Sequence, residues 1–257
     1  MKEKQEYEFY EQIKDWNFEE FQIKSESLTD WDMYEILESV TDKNSRILDL
    51  GTGGGEKLLK RFPKDVLEIV GIDFSEAMIE TAKKNLALSD RCNVTFKVMN
   101  NLDLKFPKEY FDVVVARNTV IDAKQIYEVL KPGGYLIVRG VDKYDCHQLK
   151  MIFGKGQASM DKIPISIIDY EAILSAGFKD VELVPLHVRE YFKDWETLYK
   201  FLLKVPIIDD FSEEDFDVKN FYKKKLETDK LKDYVSKNTT DKGILLLRRY
   251  YGIIARK

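Results

Sequence analysis

The sequence contains few of the residues on which metal sites and disulfide frameworks depend. It has two cysteines, Cys92 and Cys146, and two histidines, His147 and His187, among 257 residues. Neither cysteine belongs to a Cys-x-x-Cys pair, and a zinc site would need carboxylates to complete it. We therefore expect no metal, and the two isolated thiols indicate a reducing compartment rather than a disulfide-stabilised secreted fold.

The sequence also lacks long apolar runs and an excess of positive charge. No run approaches the roughly 20 apolar residues of a membrane-spanning helix, and residues 1–8 are too charged for a secretory signal peptide. The formal net charge is −5, so the chain has no overall attraction for nucleic-acid phosphates or anionic membranes. We expect a cytoplasmic protein with no membrane partner, and nucleic acid is disfavoured as a partner.

The middle of the chain alternates short apolar runs, typical of buried strands, with amphipathic segments, typical of helices. This alternation predicts an α/β protein with a doubly wound, mostly parallel, seven-stranded sheet that helices cover on both faces. The strands are expected at 47–50, 67–72, 94–99, 111–116, 135–138, 181–188 and 244–255, and the helices at 75–88, 122–130, 169–176 and 195–203.

The alternation breaks down at both ends of the chain. Residues 1–43 predict an N-terminal helical lid with helices at 3–14 and 30–40, the second capped by Asp30. Residues 44–190 form the predicted core, within which 142–166 is expected to be an irregular loop. Residues 191–242 predict a cap insertion before the last strand, and 243–257 return that strand to the core.

A glycine-rich turn, Leu-Gly-Thr-Gly-Gly-Gly at 50–55, follows the first predicted strand. Glycine permits a tight strand-to-helix turn and lets the backbone approach a ligand without an intervening β-carbon. Asp73 ends the second strand about 20 residues later, where a carboxylate can accept hydrogen bonds from both hydroxyls of a ribose. Together the two features predict a cofactor that contains a nucleoside.

Glu56 discriminates between two such cofactors. The dinucleotide fingerprint has a glycine at this position, and a pyrophosphate at the start of the helix would be repelled by the carboxylate. S-adenosylmethionine has no phosphate and carries a sulfonium cation, so Glu56 and Asp49 are compatible neighbours. An NAD-dependent oxidoreductase is therefore disfavoured.

Four segments resemble successive motifs of class I S-adenosylmethionine-dependent methyltransferases, and more narrowly of the bacterial type-11 methyltransferase-like proteins. They are ILDLGTGGG at 47–55, VGIDFSEAM at 70–78, FDVVVAR at 111–117 and LKPGGYLIV at 130–138. The match covers roughly residues 45–140 in order and spacing. The resemblance implies a Rossmann-like fold, S-adenosyl-L-methionine as cofactor and methyltransferase activity, and it leaves the acceptor open.

The resemblance also implies a set of donor-binding residues. Gly51 and Gly53, with Thr52 between them, would lie against the methionine part of the donor. Asp49 would lie near the methionine amino group, and Asp73 would bind the ribose.

On the adenine side, the resemblance implies Phe74 and Met78 beside the ring. The family usually has an aspartate after its third strand for the adenine amino group, where this chain has Asn100. An asparagine carbonyl can still accept that hydrogen bond. Asn101 would offer its backbone N–H, and Asp103 is the alternative if the register is shifted.

Arg117, Asn118 and Thr119 follow the fourth strand, at the crevice where such sheets bind ligands. Arg117 is assigned to the donor site and Asn118 to the substrate pocket; the alternative is a polar turn in which Thr119 caps a helix. Relatives often carry a histidine near position 118, so Asn118 argues against a histidine base there. Asn118 and His147 are the catalytic candidates, although methyl transfer needs a base only when the acceptor must lose a proton.

A small-molecule acceptor is favoured, because the chain is acidic and the segments at its two ends could enclose the donor. Tyr10, Trp16 and Phe18 either seal the N-terminal helix to the core or cover the sulfonium, since aromatic faces attract cations. One alternative is RNA base methylation, which a basic stripe of lysines 143, 150 and 155 would support. Another is a non-catalytic module that binds the donor.

We expect the protein to bind S-adenosylmethionine or its demethylated product with about micromolar affinity and not to bind NAD, because Glu56 repels a pyrophosphate. Isothermal titration calorimetry with each ligand measures this difference. If NAD competes as well as either ligand, the donor assignment is wrong.

Overall fold

The computed structural model describes residues 21–209 and 225–257. The strands in these ranges are β1 Lys24–Ser27, β2 Arg46–Leu50, β3 Glu68–Asp73, β4 Val94–Val98, β5 Phe111–Arg117, β6 Leu130–Val141, β7 Lys179–Phe192, β8 Thr239–Thr240 and β9 Gly243–Arg256. They form one sheet in the order β1-β7-β9-β6-β5-β2-β3-β4, with β8 paired to β9. Strands β2 to β6 run parallel to one another, and β9 lies between β6 and β7 and is antiparallel to both. The predicted α/β class and mostly parallel sheet are confirmed.

Helices cover both faces of this sheet. They are α1 Met33–Ser39, α2 Glu56–Arg61, α3 Glu76–Ala87, α4 Ala123–Val129, α5 His147–Phe153, α6 Ile165–Ala176, α7 Trp195–Lys204 and α8 Lys225–Asn238. Because successive strand residues point to opposite faces, Ile47 and Val113 pack with α1, α2 and α3, whereas Leu48 and Val114 pack with α4 and α6. None of the described helices is long and apolar enough to cross a membrane.

The described sheet has two strands that the expected seven did not include, β1 and β8. Both are short and polar, with the sequences KSES and TT, so they carry no apolar alternation. Strand β1 falls within the predicted N-terminal helical lid, which is therefore not wholly helical. The helix that follows is capped by Asp32 instead of Asp30, since the Asp32 carboxylate accepts the Tyr34 and Glu35 N–H groups. The helix predicted at 3–14 lies outside the described residues.

The irregular loop expected at 142–166 is also wrong, because it contains α5, and α6 begins at Ile165. The residue before α5 is Cys146, which has φ of 51° and provides no side-chain cap. The sequence therefore lacks the usual signal for a helix start. Burial of Leu149 and Phe153 against the rest of the protein stabilises the helix instead.

Strands β7 and β9 continue past the end of β6 and form an arm. Val141, the last residue of β6, lies opposite Tyr250, whereas β9 stays paired with β7 as far as Ile244, opposite Phe192. The additional length is about six residues, or roughly 20 Å at about 3.4 Å per residue. The arm therefore projects from the edge at which the parallel strands end.

Helices α5, α7 and α8 pack around this arm in a hydrophobic core of their own. The apolar face of α7 is buried there through Leu198, Phe201 and Leu202, with Trp195 packed against it. Helices α7 and α8, the described helices between β7 and β9, thus pack on the arm and not on the central sheet. Strand β1 also joins the arm, because it pairs with the end of β7.

A buried ion-pair network fixes the loop after β6 to the arm. Arg248 is 5% exposed, and its Nε donates to the two carboxylate oxygens of Asp145 at 3.0 and 3.2 Å. Its Nη1 donates to Glu190 Oε2 at 3.1 Å. Asp145 Oδ1 also accepts the backbone N–H of Arg249 at 2.7 Å. The guanidinium is therefore compensated by two carboxylates, which a buried charge requires.

We expect Asp145→Ala to lower the free energy of unfolding by about 3–5 kcal/mol, because it leaves a buried guanidinium without its main partner. Urea denaturation followed by circular dichroism measures the change. Asp90→Ala is the matched control, since the Asp90 side chain is 75% exposed in its ion pair with Lys64. The control should lose far less stability, because solvent screens an exposed ion pair. Equal losses in the two variants would contradict the anchoring role of Asp145.

Candidate active site

The glycine-rich turn connects β2 to α2 at the edge where the parallel strands end. Gly51 and Gly55 have φ of 68° and 76°, in the left-handed region that favours glycine. A β-carbon on Gly51 would lie 2.8 Å from the Thr119 side chain. The Thr52 N–H donates to the Ile72 carbonyl at 2.9 Å, so the turn is fastened to the end of β3.

Asp73 ends β3 and holds the same turn from its side chain. The residue is 8% exposed. Its Oδ2 accepts the Gly53 N–H at 2.9 Å, and its Oδ1 accepts the Ser75 N–H at 3.0 Å. Ser75 caps α3 through its hydroxyl, which accepts the Met78 N–H at 3.2 Å, as the sequence predicts. The carboxylate is therefore positioned by backbone groups on both sides and is not used as the helix cap.

Asp49 lies near the end of β2 and is buried. Burial raises the pKa of its carboxyl to about 7, while the Thr52 hydroxyl and the Arg117 guanidinium lower it and Asp73 raises it. A cationic group placed beside this carboxyl would favour its ionised form. The position therefore suits an ammonium group.

Asn100 and Asn101 follow β4 and use their side chains differently. Asn100 is exposed, and its Oδ1 accepts the Leu102 N–H at 2.9 Å within a turn. Asn101 is buried, and its Nδ2 donates to Thr119 Oγ1 at 2.8 Å. Within the described part of the chain, Asn101 Oδ1 is enclosed without a hydrogen-bond partner. A buried acceptor of this kind costs about 1–3 kcal/mol, which a ligand N–H group would relieve.

Phe74, Met78 and Glu56 lie around the two helix starts. Phe74 is 40% exposed and offers an aromatic surface next to Asp73, whereas Met78 is buried beneath the start of α3. The Glu56 carboxylate folds back over the turn, since a β-carbon on Gly54 would lie 2.6 Å from Glu56 Oε1. A carboxylate therefore lies at the helix end where dinucleotide-binding folds hold a pyrophosphate.

Arg117 and Asn118 close the site at the end of β5. Arg117 is in register with Arg139 of β6. Asn118 has φ of 54°, which is uncommon for a residue other than glycine, and its N–H donates to the Arg139 carbonyl at 2.7 Å. Its Oδ1 accepts from Arg139 Nη1 at 3.3 Å. The capping alternative for Thr119 is wrong, because Asp122 caps α4.

Tyr34 of α1 is a site residue that the sequence analysis missed. Burial raises the pKa of its phenol, the charge of Arg117 lowers it, and Asp49 raises it. The phenol therefore lies within electrostatic range of the ends of β2 and β5. Its ring faces the Arg61 guanidinium at 4.4 Å. No local pattern marks this tyrosine, because only the packing of α1 on the sheet brings it to the site.

Other predicted site residues lie elsewhere. His147 is exposed at the start of α5, where its ring contacts that of Tyr144 at 5.4 Å, among the helices around the arm. Asp103, the alternative to Asn100, is exposed and forms an ion pair with Lys105. The three predicted aromatic lid residues, Tyr10, Trp16 and Phe18, lie outside the described residues.

A glycine turn after one parallel strand and a carboxylate at the end of the adjacent strand are typical of α/β folds that bind a nucleoside cofactor. Residues 41–202 match the family model described as a methyltransferase domain, and the chain belongs to this family. The chain therefore contains a methyltransferase domain, in agreement with the resemblance to S-adenosylmethionine-dependent methyltransferases.

Individual relatives agree with this assignment. The chain is 34% identical to a ubiquinone/menaquinone biosynthesis C-methyltransferase of Geotalea daltonii over 119 residues, which cover 42% of this chain and 50% of the relative. It is 27% identical to phosphoethanolamine N-methyltransferase 1 of Arabidopsis thaliana over 213 residues, which cover 75% of this chain and 41% of the relative. The chain spans about half the length of the curated relatives it matches.

Solved structures show the same fold. The crystal structure of a putative methyltransferase from Bacillus halodurans superposes with a TM-score of 0.61 at 18% identity, covering 88% of this chain and 98% of that one. At this identity the likeness concerns the fold alone.

The pKa of Asp49 predicts how stability depends on pH. Its carboxyl ionises near 3.8 in the unfolded chain and near 7 in the folded protein. Between these values the folded state keeps a proton that the unfolded state has released, so the residue reduces stability increasingly as pH rises towards 7. Asp49→Asn should therefore exceed the wild type in stability by a margin that grows from about pH 4 to pH 7 and is constant above it.

Urea denaturation of both proteins between pH 4.5 and pH 8 measures this margin. Asp65→Asn, at an exposed aspartate, is the control and should follow the wild type at every pH. A margin for Asp49→Asn that does not change with pH would contradict the raised pKa.

Proposed function

We propose that the protein transfers the methyl group of S-adenosylmethionine to a small molecule that binds between the glycine turn and the arm. The observation that carries this proposal is the common edge: the turn, Asp73 and Arg117 lie where parallel strands end, and the arm projects from the same edge. Insertions as long as 191–242 usually serve binding. We assign α7 and α8, which pack around the arm, to the cap of the acceptor chamber.

In this proposal the donor lies along the ends of β2, β3 and β4. Asp73 accepts hydrogen bonds from the ribose hydroxyls in addition to its two backbone partners, since a carboxylate offers about four lone-pair sites. Asp49 receives the methionine ammonium group beside the backbone of Gly51 and Gly53. The buried carboxyl and the positive-φ glycines support this fit.

The adenine end is assigned to Asn101, Phe74 and Met78. The partnerless Oδ1 of Asn101 supports a role as acceptor for the adenine amino group, in place of Asn100, whose Oδ1 already accepts a backbone N–H. The Phe74 ring, which is 40% exposed, is assigned to stack on the adenine, with Met78 beneath. Arg117 contributes positive charge near the carboxylate end of the donor.

When bound, S-adenosylmethionine supplies an already activated methyl group. The protein must hold the acceptor atom in line at about 3 Å and exclude water. The Tyr34 phenol, which is protonated at neutral pH, and the Asn118 amide can both donate hydrogen bonds to an acceptor. Both groups orient the acceptor, and neither removes a proton at neutral pH.

The basic stripe that would support RNA base methylation is not continuous in the structure. Lys150 is 5% exposed, and its Nζ donates to the carbonyls of Lys143 at 3.3 Å and Gln157 at 2.8 Å. A buried ammonium cannot contact a phosphate backbone, so the expected stripe of lysines 143, 150 and 155 is interrupted. The names of the matched relatives, which refer to quinones and phosphoethanolamine, also favour a small acceptor.

The test is transfer of the tritiated methyl group of S-adenosylmethionine to a cellular metabolite fraction and, in parallel, to total RNA. We expect label in the metabolite fraction only. Label in RNA would overturn the small-molecule acceptor. Donor binding without transfer to either fraction would instead support the non-catalytic module.

Asp73 variants serve as the control for the donor site. Asp73→Ala should weaken donor binding by about 2–4 kcal/mol, because it removes charge-assisted hydrogen bonds to the ribose. Since Asp73 also holds the N–H groups of Gly53 and Ser75, Asp73→Asn keeps one carbonyl acceptor and should show an intermediate loss. Unchanged donor binding in Asp73→Ala would place the ribose elsewhere.

A further inference from the structure

Two arginines lie side by side next to the proposed donor site. Arg117 ends β5, and Arg139 is its partner in register on β6, so the two side chains leave the same face of the sheet. Within residues 21–209 and 225–257, neither arginine forms an ion pair with a carboxylate. Arg248, by contrast, is held by two carboxylates.

Arg139 is held in place by uncharged groups. Its guanidinium lies 3.7 Å from the centroid of the Tyr250 ring, and its Nη1 donates to Asn118 Oδ1 at 3.3 Å. Tyr250 is 7% exposed and has the Arg248 guanidinium on it at 5.0 Å. The buried network of Arg248 therefore fixes Tyr250, and Tyr250 orients Arg139. A side chain that is already ordered loses little entropy when it binds a ligand.

The Asp49 carboxyl does not compensate both arginines. It interacts with the charge of Arg117, and in the proposed donor complex it faces the methionine ammonium group. Two guanidinium groups on strands about 4.8 Å apart repel each other. An anion between them would relieve this repulsion.

We propose that Arg139, with the charge of Arg117 beside it on the donor side, binds an anionic group of the methyl acceptor, a carboxylate or a phosphate. The planar guanidinium group matches both anions through paired N–H donors. The anion would lie at the wall where β6 meets the arm, with the remainder of the acceptor directed towards the donor. This assignment rests on the proposed function, because it places the two arginines in the acceptor chamber.

Inorganic phosphate titrated into protein saturated with S-adenosylhomocysteine, and followed by calorimetry, tests the proposal. We expect saturable binding of one phosphate, weakened at least about tenfold in Arg139→Gln and less in Arg139→Lys, which keeps the charge and loses the planar fork. Affinity for S-adenosylhomocysteine should stay within about twofold in Arg139→Gln. Arg189→Gln is the matched control, because it removes the same charge from an exposed position on β7 and should bind phosphate normally.

Two outcomes would overturn the proposal. Saturated protein that binds no phosphate would show that the arginine pair is not an anion site. Phosphate that binds only without S-adenosylhomocysteine would show that the pair holds the donor carboxylate. If Arg139→Gln loses its native circular dichroism spectrum, Arg139→Lys provides the comparison, with weaker phosphate binding and unchanged affinity for S-adenosylhomocysteine expected. The proposed function fails on a different result, namely that the wild type does not bind S-adenosylhomocysteine or does not transfer a methyl group.

Discussion

The parallel pairing of β2, β3 and β5 is the constraint on which the site depends. Because these strands end at one edge, Asp49, Asp73 and Arg117 are neighbours although they are distant in sequence. Hydrogen bonds from the glycine turn to the Ile72 carbonyl and to the Asp73 carboxylate then lock two of the strand ends together. The arm projects from the same edge and therefore lies on the side of the sheet edge where these residues meet.

Contacts within the arm connect the buried charge of Arg248 to the site. Arg248 is compensated by Asp145 and Glu190, Tyr250 lies against it, and Arg139 lies on the same ring. The chain as a whole is acidic, yet the wall formed at β5 and β6 is positive. Net charge therefore describes the average attraction of the protein for its partners and not the potential at its site.

Local signals account for the features that could be predicted. The turn after β2 was predictable because its glycines adopt positive φ, and the start of α3 was predictable because Ser75 caps it. Strand β1 and helix α5 were not, since the first has no apolar alternation and the second has no side-chain cap. Both form because neighbouring elements supply their partners, in one case the end of β7 and in the other the core around the arm.

The sequence alone determined the fold class, the methyl donor and the positions of the glycine turn and Asp73, because each depends on residues that are close in the chain or on periodicity within one element. Only the tertiary structure decided that Tyr34 reaches the site, that the Oδ1 of Asn101 is left without a partner, and that Arg139 lies on Tyr250. These relations depend on the packing of α1 on the sheet and on the register of β9 against β6. Register and packing join residues that are remote in sequence, and no local pattern encodes which of them will meet.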